Sequence, residues 1–123
     1  MISISFTKKV YEIVSHIPTG KVLSYGQVAS MAGNCRASRA VGYAMHRNPY
    51  YDSIPCHRVV FQNGNLTNGL AFGGREVQRR LLEAEGVTFT ADGYVNMKEC
   101  RWDIINNYTI PFSSKKESLN LSF

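Results

Sequence analysis

Disulfides have little to build on in this sequence. It holds three cysteines, Cys35, Cys56 and Cys100. An odd number in so short a chain argues against a disulfide framework and for a reducing compartment. The opening residues show no cationic stretch followed by an apolar run, so no signal peptide is expected. No apolar run approaches membrane-spanning length, and the expectation is a cytoplasmic protein with no membrane association. Metal-ligand spacing is missing as well. His16, His46 and His57 stand at no ligating intervals from one another or from the cysteines, and no C-x-x-C occurs. There is no P-loop and no G-x-G-x-x-G, and Gly73-Gly74 alone is too little to cradle a phosphate. Neither a metal nor a cofactor is expected. Internal repeats and separate linkers are also lacking. Acidic residues are scarce: 9 Asp plus Glu stand against 14 Lys plus Arg, a net charge of +5. That balance suits a polyanionic partner, whose counterions a cationic surface releases. Many basic proteins bind nothing of the kind, so charge alone does not decide it.

What remains is enough for one domain. A chain of 123 residues, 44% hydrophobic and 19% charged, has the composition of an ordinary globular protein and is too short for two full cores. Phe6, Val10, Ile13, Val14 and Ile17 recur at helical spacing and form one apolar stripe. Pro18-Thr19-Gly20 ends that helix, and Lys21-Val22-Leu23 is a short extended link. Ser24-Tyr25-Gly26-Gln27 has the form of a capping box, which puts Tyr25 in the first turn of a second helix. That helix stops at Gly33-Asn34. A third, from about Ala37 to His46, follows closely, and two short helices across a tight turn read as helix-turn-helix. Ser38, Ala40 and Gly42 are small enough to let the third helix approach another surface closely. Plain packing against the second helix would explain them too.

Asn48-Pro49-Tyr50-Tyr51-Asp52 reads as a loop and Val59-Val60-Phe61 as a strand. Asn63-Gly64-Asn65 is a turn signal, and Leu66 to Gly74 reads as a mobile loop. The last expected helix runs from about Arg75 to Glu85, buries Val77, Leu81, Leu82 and Ala84, and stops at Gly86. Val87-Thr88-Phe89 and Tyr94-Val95 suggest a small hairpin. The expected fold class is α/β, mostly α: a single domain with a winged-helix-like helix-turn-helix bundle and a short strand or hairpin element. Residues 1–103 form the domain, and residues 104–123 are expected to be a flexible tail.

The chemistry gathers in Ser53-Ile54-Pro55-Cys56-His57-Arg58-Val59-Val60. Pro55 favours a rigid bend ahead of Cys56, and a thiol on such a bend can be displayed to a partner. An ordinary cysteine, with a pKa of about 8.5, is mostly thiol at neutral pH; a neighbouring imidazole and a cation would lower that value. The plain alternative is a buried structural cysteine. His57 follows Cys56 directly, but neighbours on an extended chain point to opposite sides, so a bridging water is the more reasonable relay. Glu85, near a helix C-terminus where a carboxylate is electrostatically misplaced, could orient the imidazole.

Ile54-Pro55-Cys56-His57-Arg58-Val59-Val60 resembles the active-site signature of the O6-alkylguanine-DNA alkyltransferases, the methylated-DNA–protein-cysteine methyltransferases. The resemblance extends from about Phe6 to about Trp102. It implies a helix-turn-helix that enters the minor groove of double-stranded DNA and flips an O6-alkylguanine into a pocket beside the cysteine. The alkyl group then passes irreversibly to the thiolate. By matching motifs, Cys56 is the acceptor, His57 its base through water and Glu85 the group that orients His57. Tyr25 helps rotate the nucleotide and supports the leaving guanine. Arg39 is the finger that fills the gap in the stack. Asn48 is a hinge between recognition helix and active-site loop, and Arg58 supports that loop or the DNA backbone. Ser38, Ala40 and Gly42 complete the DNA-facing helix.

Three departures accompany the resemblance. The N-terminal domain of full-length alkyltransferases is expected to be absent. Asn68-Gly69-Leu70-Ala71-Phe72-Gly73-Gly74 differs from the family's substrate loop. Gly93 to Trp102 is closer to the compact alkyltransferase-like proteins, which flip alkylguanine without transfer and hand it to excision-repair proteins. The sequence thus implies a monomeric single-turnover transferase, with a non-transferring lesion binder as the alternative. A redox-sensing helix-turn-helix protein with Cys56 oxidised is the third reading.

Overall fold

The computed structural model describes residues 4–48, 53–67 and 74–103. The tail at 104–123, most of the loop before the active-site turn and the centre of the expected substrate loop lie outside the described residues.

Helix α1 spans Ile4–Ser15. Its Val10, Ile13 and Val14 are completely buried, as the apolar stripe predicts. The Tyr11 hydroxyl donates to the Ala44 carbonyl at 2.9 Å, which ties α1 to a helix far along the chain. Strand β1, Leu23–Ser24, leads into α2, Tyr25–Met31. The capping box is complete: the Gln27 amide donates to Ser24 Oγ, and the Ser24 amide donates to Gln27 Oε1, both at 3.1 Å. These bonds satisfy helix-end donors that would otherwise lack partners. Helix α3, Ser38–His46, follows a turn in which Gly33 takes φ +101°. Together α1, α2 and α3 enclose the larger apolar cluster.

A 3₁₀ turn, Cys56–Arg58, runs straight into strand β2, Val59–Val60. β2 pairs in parallel with β1, Leu23 opposite Val59 and Ser24 opposite Val60. Val22 makes a further bridge to Arg101. Side chains alternate across a strand, and that alternation divides the core. Leu23 and Val59 point into the helical cluster, while Val22 and Val60 point into a second one with Leu66, Leu82, Val87, Val95 and Cys100. Helix α4, Arg75–Ala84, covers this second cluster.

Several expectations need correction. Of the four apolar residues assigned to the buried face of α4, Leu82 is buried; Leu81 is 41% exposed and Ala84 is exposed. The polar Gln78 is fully buried instead. Leu66 and Thr67 belong to the core rather than to a mobile loop. The small hairpin, by contrast, forms where expected: Phe89 bridges Val95 in antiparallel sense, flanked by the Thr90 amide donating to the Tyr94 carbonyl at 2.7 Å and the Asn96 amide to the Thr88 carbonyl at 2.9 Å. Helix α4 is not the last: α5, Met97–Cys100, follows, its start held by Asn96, whose side chain accepts from the Glu99 amide. Gly64 has a strict requirement, since its φ is +91° and a Cβ there would lie 2.5 Å from the Val95 carbonyl oxygen.

Candidate active site and nucleic-acid interface

Pro55 sets the geometry of the cysteine. Its φ of −77° and ψ of 73° are those of an inverse γ-turn, closed by the Cys56 amide donating to the Ile54 carbonyl at 2.8 Å. The ring supplies this φ at no conformational cost. Asn48 Nδ2 donates to the same Ile54 carbonyl at 3.0 Å. One oxygen thus joins the end of α3 to the cysteine turn, and Asn48 is itself buried.

Cys56 is not displayed at a surface. It is 1% exposed and belongs to the helical core cluster. Burial pushes its thiol up to about 11, while hydrogen bonds from the Asn48 side chain and its own backbone pull the other way. The expected acidified, exposed thiol is therefore corrected, and the reason is geometric. His57 Nε2 lies 2.9 Å from Glu85 Oε2, and the Arg58 guanidinium also binds Glu85. The imidazole edge and the cation expected to acidify the sulfur both face Glu85. Tyr25 shares the sulfur's surroundings: burial, with the Cys56 charge next, raises its phenol to about 12. At neutral pH it is a hydrogen-bond donor.

Glu85 sits just past the last residue of α4, as its C-cap. Burial alone would raise its carboxyl, but hydrogen bonds and charge from Arg58 and His57 outweigh that and hold it below the usual value. An ionised Glu85 accepts from Nε2, which assigns the imidazole proton to that nitrogen and leaves Nδ1 free of a proton in the neutral ring. Arg58 also donates to the Ile17 carbonyl at 2.7 Å and to Thr19 Oγ1 at 3.2 Å. Its guanidinium is thus engaged inside the fold, where it supports the turn. Arg39, in contrast, is exposed on α3.

Gln78 is a site residue that sequence reasoning missed. Its Nε2 donates to the His57 and Val59 carbonyls at 3.0 and 3.2 Å, and its Oε1 accepts from the Thr67 amide at 2.9 Å. One buried amide clamps the C-terminal side of the cysteine turn and the start of the following loop. The available signal was a lone amide on the apolar face of α4. Gly42 has a partner as well: a Cβ there would lie 3.9 Å from the Tyr25 ring. Ala40 packs against the core cluster, and Ser38 is half-buried at the start of α3. Phe61, 38% exposed, leans on Tyr25 with ring centroids 5.1 Å apart. It borders a hollow of about 760 Å³ whose described lining is Phe61, Gln62, Asn63 and Asn65, without Cys56. Among the described residues no group of three His, Cys, Asp or Glu side chains could hold a metal ion.

A family model described as the DNA-binding domain of 6-O-methylguanine DNA methyltransferase matches residues 5–87. The chain belongs to that family. The match includes α2, α3, the cysteine turn and Glu85. Among relatives of this alkyltransferase domain, the DNA base-flipping protein of Escherichia coli K12 is 39% identical over 99 residues, 80% of this chain and 75% of that protein. The methylated-DNA–protein-cysteine methyltransferase of Methanosarcina acetivorans is 46% identical over 66% of this chain and 51% of its own length. The domain therefore spans about half of that methyltransferase. In structure it is similar to S. pombe Atl1 in complex with damaged DNA containing O6-carboxymethylguanine, with TM-score 0.72, 34% identity and coverage of 84% and 99%. The Mycobacterium tuberculosis OGT in complex with DNA matches at TM-score 0.62 and 40% identity, over 69% of this chain and 51% of that one.

Proposed function

We propose that this alkyltransferase domain binds duplex DNA through α2 and α3, flips an O6-alkylguanine out through the minor groove and accepts its alkyl group on Cys56. The observation that carries the reading is the convergence of Tyr25, Asn48 and Cys56 on one turn, with His57 held by Glu85 beside it. In the transfer, the thiol proton passes through water to His57 Nδ1, and Glu85 stabilises the imidazolium formed. The sulfur attacks the alkyl carbon, an S–C bond forms and the bond from that carbon to O6 breaks. Guanine departs with the electron pair, and the Tyr25 hydroxyl donates a hydrogen bond to it. Arg39 fills the space left in the stack. The reaction consumes one protein per lesion and is DNA repair by a monomer; a cytoplasmic location without membrane association completes the proposal.

Intact-protein mass after incubation with an O6-methylguanine duplex tests it. One added methyl on the wild type, absent from Cys56→Ser, is the expected result. An unchanged mass with Cys56 still reduced would remove the transferase reading.

One observation favours a second reading. A sealed thiol with a pKa raised to about 11 is a poor nucleophile at rest. A lesion binder that flips alkylguanine and recruits excision-repair proteins needs no reactive sulfur. Tight lesion binding that survives Cys56→Ser, with no mass gain in the wild type, would support it.

A further inference from the structure

The exposed side of α3 carries more than Arg39. Tyr43 and Arg47 follow at intervals of four, so all three lie along one helical face. Tyr43 is 62% exposed, an unusual setting for a large aromatic ring. It is also held in place: the Arg47 guanidinium lies 5.2 Å from the ring centroid, and its Nη1 donates to the Tyr43 hydroxyl at 3.3 Å. The arrangement orients a cation while leaving other guanidinium donors for a partner. The stretch of chain that carries it is one-signed. From Ile13 to Tyr51 the sequence contains no aspartate or glutamate, while Lys21, Arg36, Arg39 and Arg47 fall inside that span. No carboxylate from α2, its flanking turns or α3 competes for these cations.

We infer that Tyr43 and Arg47 form a second contact with DNA, the ring against a deoxyribose and the guanidinium on a backbone phosphate flanking the lesion. The inference rests on the proposed docking of α3. Arg39 and the C-cap Arg47 are eight residue steps apart, about 12 Å along the axis. For a helix lying along the groove that equals three to four base pairs at about 3.4 Å each. Arg39 then acts at the damaged step, and Arg47 fixes the register on undamaged duplex beside it.

Binding of the full chain to an O6-methylguanine duplex and its unmodified counterpart, measured across a salt series, separates these roles. Arg47→Ala should weaken both complexes several-fold and equally, and should lower the slope of log affinity against log salt by about one. Tyr43→Phe, which keeps the ring and loses only the hydroxyl that accepts from Arg47, should weaken binding less than Tyr43→Ala, and Tyr43→Ala should approach Arg47→Ala. Arg39→Ala should instead reduce the preference for the lesion. An unchanged salt slope in Arg47→Ala, with the wild type still preferring the lesion, would overturn this contact and leave the proposed function standing. Absence of lesion preference in the wild type would sink the proposed function itself.

Discussion

Arg58 and Glu85 form a two-pronged pair: Arg58 Nε donates to Oε1 at 2.9 Å and Nη2 to Oε2 at 2.7 Å. The same carboxylate takes His57 Nε2, so one acidic side chain restrains both residues that follow the cysteine. Through Arg58 it also joins α4 to the segment just after α1, because Arg58 reaches the Ile17 carbonyl. Glu85 is thereby a structural tie and the orienting group of the proposed base.

Acid should expose the structural part. Glu85 is held below the ordinary carboxyl value, so its contribution to stability is complete above that value and is lost as pH falls through the folded one. Glu85→Gln should cost about 1–3 kcal/mol at neutral pH. The gap from the wild type should close on acidification below about pH 4. Denaturant unfolding from pH 7 to pH 3 checks this; a gap that stays constant would mean the charge on Glu85 does not stabilise the fold.

The thiol should behave as a buried one. With Cys56 raised to about 11 and Cys35 exposed, iodoacetamide should label Cys35 first, and Cys56 labelling should still be accelerating at pH 10. Peptide mass mapping over a pH series reports each site. A Cys56 rate that levels off by pH 8 would show that its environment acidifies it after all.

Gln78→Leu should be among the most damaging polar substitutions. It removes the partners of two carbonyls and one amide around the cysteine turn. Buried groups left without partners cost about 1–3 kcal/mol each before relaxation, so a net loss of about 2–4 kcal/mol in urea unfolding is expected. Gln78→Glu, which keeps the Thr67 acceptor and loses the two donors, should also be destabilised. A cost under about 0.5 kcal/mol for both would make the clamp energetically idle.

Gly42 offers a test of close approach that stability alone cannot mimic. A Cβ there meets only ordinary contact with Tyr25, so Gly42→Ala fits the fold. Replacing a mid-helix glycine by alanine should stabilise by about 0.5–1 kcal/mol. If α3 enters the groove at this glycine, the same substitution should weaken DNA binding. A higher melting temperature with unchanged affinity would remove Gly42 from the interface.

Much of the fold is legible in the sequence. The stripe on α1 and the capping box at Ser24 are local signals, each carried by neighbouring residues whose spacing matches a helical period. Both parts of the capping box form as the spacing predicts. Gln78 and Arg58 were opaque for the opposite reason. Their partners lie far away in sequence: Thr67, His57 and Val59 for one, Glu85 and Ile17 for the other. No periodicity encodes such pairings. α5 was missed because it is only four residues long, too short for a repeat to show.

The division is sharpest at Cys56. Sequence determined its chemistry and its bend, because Pro55 restricts φ in any context and the adjacent histidine and arginine are covalent neighbours. Whether those neighbours would acidify the sulfur was decided by tertiary packing. α4 brings Glu85 to within hydrogen-bond distance of both, turning their charge-bearing ends toward a carboxylate, while the α1–α3 core closes over the thiol. Electrostatic influence depends on distance and solvation in three dimensions, and neither is specified by adjacency along a chain.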